Sequence, residues 1–342
     1  MTNLAAIILA AGKGTRMRSQ RAKVTFPIAG KPMIQRVVES AIQVDCSQII
    51  VVVGYQKESV IASISVDKDL EYVEQTEQLG TGHAVMMAEP VFTDLGQDVL
   101  ILCGDVPLLS HETLNRIYQE HKNSQAVCTV LTAYLDDAGK YGRILRNDLK
   151  QVTGIVEYKD ASDEQLAIQE WNTGVYCFQA RELFAALKQV SNTNNQGEYY
   201  LTDVISILHE QHKTISTVVL ENLVEVSGIN SQQQLAELED MFLDKIRRHW
   251  LNNGVVIHNP ATVTIGDDVM LEADVEIGQN CILRGKSQIH YGAFIGPNSL
   301  IEDSFVSDNC TLEGFNILIN AHIPEEHIVS YGEHVIEESN YE

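Results

Sequence analysis

The sequence predicts an α/β fold: a doubly wound, mostly parallel sheet followed by a short parallel β-helix of hexapeptide repeats. Three observations support this. From residue 1 to about 228, short β-rich apolar runs alternate with helix-like stretches, the rhythm of parallel strands joined by crossover helices. From Ile265 onward, seven aliphatic residues recur every six positions, a period that a sandwich of alternating strands does not produce. The length of 342 residues fits one large domain or two ordinary ones.

Ala5–Ala10, Ile49–Val53, Val99–Cys103 and Ala126–Leu131 are apolar runs bounded by Gly, Asp or polar clusters, and read as strands. Met33–Val44 reads as a helix, because Ile34, Val37, Val38 and Ile42 fall near a 3.6-residue period. Trp171–Phe178 interrupts the alternation and suggests an insertion over the sheet edge. Ser231–Trp250 reads as an amphipathic helix, with Leu235, Leu238, Phe242 and Ile246 on one face and Asn252-Asn253-Gly254 as its stop. The hexapeptide aliphatics are Ile265, Leu271, Ile277, Leu283, Ile289, Ile295 and Ile301. Four places after the first six stand the small or slim Val269, Val275, Cys281, Ser287, Ala293 and Ser299. In a β-helix the aliphatic residue points inward and the small one sits at the tight corner. Three hexapeptides per coil give a little over two coils. The expected division is 1–228 for the α/β domain, 229–254 for a linker helix, 255–320 for the β-helix and 321–342 for an acidic tail. That tail has no Lys or Arg and either caps the open end of the β-helix or lies loose.

Charge excludes some partners. There are 24 Lys+Arg against 47 Asp+Glu, a net charge of −23, so neither nucleic acid nor an anionic membrane is an expected partner. The total hides an asymmetry. Residues 1–36 contain Lys13, Arg16, Arg18, Arg21, Lys23, Lys31 and Arg36 and no acid, so they carry +7 and the rest carries −30. Composition is otherwise ordinary and globular, 44% hydrophobic and 21% charged. The six cysteines are widely spaced, with no Cys-x-x-Cys, and read as buried thiols of a reducing compartment. Leu4–Ala11 is only eight residues long and lacks a basic leader, too short for a membrane span. A cytoplasmic protein is expected.

The first strand runs straight into Ala10-Ala11-Gly12-Lys13-Gly14-Thr15-Arg16-Met17. Glycines after a first strand let backbone N–H groups approach phosphate oxygens. Met17 stands where the third glycine of G-x-G-x-x-G belongs, and the G-x-x-x-x-G-K-[ST] spacing is absent as well. What remains is a phosphate loop decorated with cations, extended by Lys23. Gly12 and Gly14 alone would make only a turn; the surrounding cations point to phosphate. Asp105 follows the run Val99–Cys103, at the carboxyl end of a strand where open α/β sheets place ligands. A hard carboxylate there suits Mg²⁺.

Leu9 to Met17, Lys23-Val24 and Ala29-Gly30-Lys31-Pro32-Met33 resemble the sugar-1-phosphate nucleotidyltransferase superfamily. The more specific resemblance is to the bacterial N-acetylglucosamine-1-phosphate uridyltransferases, usually the front half of a bifunctional enzyme. It rests on Gln75, Glu77 to Ala84, Gly104 to Leu108, Tyr141 to Ile144, Gly154 to Glu157, Asn172 to Gly174, Gln196 to Asp203 and Val226 to Asn230. It spans about residues 5–320.

This resemblance implies a Rossmann-like nucleotidyltransferase domain and a left-handed β-helix. The implied reaction joins UTP and N-acetylglucosamine 1-phosphate to give UDP-N-acetylglucosamine and pyrophosphate, with Mg²⁺ as cofactor. By resemblance, Arg16 stabilises the leaving pyrophosphate, and Lys23 neutralises the attacking phosphate and the α-phosphate. Leu9, Ala11, Gly12, Gly14 and Thr15 bind the nucleotide, and Gln75, Gly80 and Thr81 read uracil. Gly142, Glu157, Asn172, Tyr200 and Thr202 line the sugar pocket, and Asp105 with Asn230 holds the metal. His83 is structural support, while Arg18, Arg21, Lys31 and Arg36 have no matching role and are expected in solvent. Cys103 departs from relatives that place an aromatic there.

The nucleophile is a phosphate oxygen, ionised at neutral pH without a general base, so no catalytic triad is expected. The repeat fades after Ile301 and the sequence ends at Glu342, where the bifunctional enzymes continue. The acetyltransferase activity is therefore expected to be absent, with His290 a residue of the β-helix wall. The resemblance also implies a homotrimer. Two alternatives stay open: another sugar 1-phosphate such as glucose 1-phosphate, and a non-catalytic nucleotide-sugar-binding regulatory subunit.

Overall fold

A computed structural model describes residues 3–337. The chain forms two compact units, one of residues 1–26 and 32–232, the other of residues 27–31 and 233–342. Among the described residues no helix is long and apolar enough to cross a membrane.

The first unit is built on β1 (Leu4–Leu9), α1 (Met33–Gln43), β2 (Gln48–Val53), α2 (Lys57–Ala62), β3 (Glu71–Glu74), α3 (Thr81–Met86), β4 (Asp98–Cys103), α4 (His111–Asn123) and β5 (Cys128–Tyr134). It continues through the hairpin β6 (Arg143–Arg146) and β7 (Val152–Val156), then β8 (Glu170–Gln179), α5 (Ala180–Leu187), α6 (Asp203–Glu210) and β9 (Ile215–Val219). The strand order is β9-β5-β8-β4-β1-β2-β3, with the hairpin paired to β8. Alternation along β1 sends Leu4, Ala6 and Ile8 toward α1 and α4, and Ala5 and Ile7 toward α3, α5 and α6. Both faces are thereby covered, which is why the strands read as continuous apolar runs. Ser110 caps α4 by accepting from the Thr113 N–H at 3.2 Å, an ordinary N-cap.

One element sits elsewhere than expected. Trp171–Phe178 lies not over the edge but inside the sheet as β8, antiparallel between β4 and β5. Its residues are buried on both faces, so its composition matches that of its parallel neighbours. Direction is set by the connection, which a linear pattern does not reveal.

The hairpin is tied to β8 by Arg146, which donates from Nε to Glu170 Oε2 and from Nη2 to Oε1, each at 2.7 Å. Burial pushes the Glu170 carboxyl up, but the bond and charge of Arg146, with help from Thr132 and Tyr134, together hold the group below its ordinary range. Arg146→Ala is expected to cost about 2 kcal/mol, between an exposed pair and a fully buried one, since Arg146 is one-quarter exposed. A depressed carboxylate gives stability that is present above its unfolded pKa and lost as pH falls through the folded value. The gap between wild type and variant in urea unfolding should therefore narrow from pH 7 into acid. A gap independent of pH would disprove this account.

The second unit opens with α7 (Gln232–Asn252), whose Ile246 and Trp250 pack against the core of short parallel strands that follows. These strands stack on three faces, with 264–265, 282–284, 300–302, 317–319 and 334–336 forming one of them. This is the arrangement of a left-handed β-helix. All seven hexapeptide aliphatics, from Ile265 to Ile301, are buried, and so are the small residues from Val269 to Ser299.

The repeat does not fade after Ile301, and residues 321–337 are not a loose tail. Strands continue at His322–Ile323, Ile328–Val329 and His334–Ile336, while 338–342 lie outside the described residues. The period was broken by single-residue deletions. Gln288 pairs with Phe305 and Phe305 with His322, an offset of 17 residues, whereas Met270 pairs with Gln288 at an offset of 18. Val306, Leu312, Leu318, Ile323 and Val329 take over the inward positions. The corners hold Asn280, Asn298, Asp303, Asn309 and Asn320 at positive φ, a conformation that Asn and Asp tolerate.

Residues 27–31, which the linear reading gives to the first domain, group with this second unit. The Ala29 N–H donates to Glu239 Oε1 at 2.8 Å, and Lys31 Nζ lies 2.7 Å from Asp268 Oδ2. Lys31 is therefore ion-paired rather than solvated.

Candidate active site

The site forms at the carboxyl ends of β1, β2 and β4. The ladder runs on past the strands: Ala10 N–H donates to Val52 O at 2.8 Å, and Gly104 N–H to Leu9 O at 2.9 Å. This fixes the glycine loop on one side and Asp105 on the other. Gly14 adopts φ +61, and a Cβ there would lie 2.6 Å from Lys23 Cβ. Glycine thus lets Lys23, itself buried, pass beneath the loop.

The Lys23 ammonium donates to Asp105 Oδ2 and, at 2.8 Å, to Asn230 Oδ1. Arg16 Nη2 donates to the same Asn230 oxygen at 2.6 Å. A backbone bond from Ile229 N–H to Asp105 O at 3.2 Å fastens the Asn230 segment to the Asp105 loop. Four residues drawn from positions 16 to 230 therefore share one hydrogen-bonded cluster. They line a cavity of about 410 Å³ together with Leu9, Ala11, Gly12, Gly14, Gln75, Gly80 and Thr81. Thr15 is exposed and is not among the lining residues.

Gln75 Nε2 donates to Gly80 O at 3.0 Å and stands 3.0 Å from His83 Nδ1, so His83 helps orient that amide. Gly80 has φ +109, and a Cβ there would meet Tyr199 O at 2.6 Å. The close approach is used: Tyr199 N–H donates to Leu79 O at 2.7 Å, and Gly82 N–H to Tyr199 O at 2.8 Å. The Gln75–Thr81 segment is thereby stapled to the Tyr199–Thr202 segment.

The five residues expected at the sugar do not line this cavity, and they fall into three separate hydrogen-bonded groups. Thr202 Oγ1 donates to Glu157 Oε1 at 3.1 Å, and Asn172 N–H donates to Gly142 O at 2.9 Å. Tyr200 OH donates to Asp160 Oδ2 at 3.1 Å and accepts from Gln196 at 2.7 Å. Burial raises the Glu157 carboxyl above its ordinary range, against the Thr202 bond and with help from Asp203, Asp160 and Glu198. The Asn172 amide already serves Tyr176 OH at 2.7 Å and accepts from Gly174 N–H at 3.1 Å.

Of the seven cations in the basic opening, only Arg16 and Lys23 line the cavity. Arg36, expected in solvent, is buried on α1. Arg21 is exposed but directed inward along the chain, donating to Thr25 Oγ1 at 2.9 Å and lying over the Phe26 ring. Arg18 is exposed, as expected.

The nucleotidyl transferase family matches residues 5–254, which include every residue of this cavity. The chain belongs to the nucleotidyl transferase family. Its relatives include the bifunctional protein GlmU of Exiguobacterium sibiricum, 45% identical over 307 residues that cover 90% of this chain and 68% of that protein. The GlmU of Heliobacterium modesticaldum is 43% identical over 313 residues, 92% of this chain and 68% of that one. In fold, this nucleotidyl transferase is similar to a solved UDP-glucose pyrophosphorylase complexed with UDP-glucose, with a TM-score of 0.57 and 21% identity over 72% of this chain and all of that one.

Sequence reasoning gave no role to two lining residues of this nucleotidyl transferase, Gln78 and Glu198, and raised a third, Cys103, only as a departure from relatives. Gln78 Nε2 donates to Ala11 O at 2.7 Å and so joins the glycine loop to the Gln75–Thr81 segment; its place three residues after Gln75 was the available signal. The Cys103 thiol is pushed up to about 12 by burial and then by Asp105, against Lys23. It fills space beside Gly174 O, 3.6 Å away, as an inert neutral thiol.

Proposed function

We propose that this chain is a Mg²⁺-dependent uridylyltransferase that joins UTP and N-acetylglucosamine 1-phosphate, releasing pyrophosphate, in the cytoplasm. The observation that supports it best is the convergence of Arg16, Lys23, Asp105 and Asn230 on one cavity. Joining two anions in line is an electrostatic problem, and this cluster is built of charges and oxygen donors.

The donor set suits Mg²⁺. A carboxylate oxygen of Asp105 and the amide oxygen of Asn230 both face one cation, the Lys23 ammonium, and hard oxygen ligands are what Mg²⁺ prefers. When bound, the ion neutralises phosphate charge. Lys23, once released from Asp105 and Asn230, neutralises the attacking phosphate and the α-phosphate. Arg16, at the exposed rim, holds the departing pyrophosphate. The attacking monoester is ionised near neutrality, its second pKa being about 6, so no side chain needs to take its proton. Glu157, with Thr202 on one oxygen, is the acceptor that orients a sugar hydroxyl.

The test is a profile of four nucleoside triphosphates against several hexose 1-phosphates, read as pyrophosphate release. UTP with N-acetylglucosamine 1-phosphate should exceed every other pair by at least tenfold in kcat/KM, about the worth of one well-placed hydrogen bond to substrate. A preference for glucose 1-phosphate would move the assignment within the family. Binding without turnover would replace it with a regulatory role. A homotrimer is part of the proposal: Met270, Ile282 and Ile328 leave apolar side chains exposed on the β-helix, and a monomer in light scattering would refute it.

A further inference from the structure

We infer that Glu272, His290 and Asp308 form a binding site for a divalent transition-metal ion on the outer wall of the β-helix. The inference does not depend on the proposed reaction. One ligand atom from each residue lies within 4.8 Å of the other two. His290 Nδ1 stands 3.1 Å from Glu272 Oε1 and 4.0 Å from Asp308 Oδ1.

The coil register explains the meeting. Glu272 and His290 hold equivalent places in successive coils: Glu272 N–H donates to Ile289 O at 3.0 Å, and His290 N–H to Val306 O at 2.9 Å. In the next coil the equivalent residue is Ser307, whose N–H donates to Ile323 O at 3.1 Å. Asp308 is one residue farther round the corner, from where its carboxylate reaches back to the same imidazole nitrogen. Three consecutive coils thus contribute one donor each.

Two of the donors are held in place by groups outside the cluster. Glu272 Oε2 accepts from the Tyr291 N–H at 2.9 Å, which turns Oε1 toward His290. The His290 ring packs on Phe305 with centroids 4.4 Å apart. His290 is about one-quarter exposed, and the two carboxylates about half, so water can complete the coordination.

One imidazole nitrogen with two carboxylate oxygens suits Zn²⁺ or its neighbours rather than Mg²⁺, which prefers oxygen alone. Tetrahedral Zn²⁺ with bonds of about 2.0–2.1 Å needs donor atoms about 3.3 Å apart. The Glu272–His290 pair already meets this, and the exposed Asp308 side chain closes the rest by rotation. Two carboxylates beside one imidazole nitrogen, at 3.1 and 4.0 Å, give the site the charge that would match a divalent ion. The bound ion would clip three coils together.

The test is titration calorimetry of untagged full-length protein with ZnCl₂, in millimolar Mg²⁺ to occupy all-oxygen sites. One Zn²⁺ per chain is expected. His290→Asn and Asp308→Asn should each weaken it at least tenfold, since even outer-shell losses cost 10–100-fold. Zn²⁺ should also raise the thermal unfolding midpoint of wild type but of neither variant. Asp308 is half exposed, so its variant tests the site even where His290→Asn lowers stability. Wild-type affinity in both variants, or no saturable heat with Zn²⁺, would overturn the inference.

Discussion

Replacing Lys23 with alanine is expected to lower turnover about a thousandfold and, in the same protein, to tighten divalent-ion binding in the absence of nucleotide. The first effect follows from removing a preorganised charge at the transferring phosphoryl group, worth about 10²–10³ in rate. The second follows from where the ammonium sits. It donates to both Asp105 and Asn230, so in the free protein lysine and metal compete for the same oxygens. Removing the lysine takes away the cation on Asp105 Oδ2 and one of the two on Asn230 Oδ1, where Arg16 still donates. Mn²⁺ serves as the probe, with its free concentration followed by electron paramagnetic resonance. Unchanged Mn²⁺ affinity in Lys23→Ala would show that the ammonium and the metal use different places.

Asp105→Asn is expected to reduce turnover by a similar factor, but to move metal binding the other way. The amide keeps the size and loses the charge, so a hard cation loses its one anionic donor. The Mg²⁺ concentration for half-maximal rate should rise at least tenfold, while UTP still binds in EDTA through the glycine loop and Gln75. The opposite signs matter. Loss of folding would weaken metal binding in both variants, whereas competition predicts tightening in one and weakening in the other. The thermal midpoint of each variant checks the remaining structural cost, since Asp105→Asn leaves Lys23, with its side chain only 10% exposed, without its carboxylate.

Much of the site was readable because the fold places ligands at strand ends. Asp105 follows an apolar run and is followed by Pro107, so its position at the carboxyl end of β4 was legible from pattern alone. The glycine loop was legible for the same reason. Glu198 was not, because its segment reaches the cavity through a pairing with residues 79–82, about 120 residues away. Such pairings depend on backbone register and leave no local periodicity. The last coils of the β-helix were missed for a simpler reason. A strict six-residue template loses phase after one deletion, whereas the stacked strands need only keep their inward residues aligned.

The sequence by itself determined the layer type, the hexapeptide core and the identity of the charged residues, because these depend on local period and composition. Only the tertiary structure decided which charges work together. The first 36 residues carry +7, yet Arg36 is buried on α1, Lys31 pairs with Asp268, and Arg16 and Lys23 alone reach the cavity. Neighbours in sequence diverge because helix phase and strand ends point each side chain in its own direction. Asp105 and Asn230 meet because a backbone hydrogen bond joins their loops.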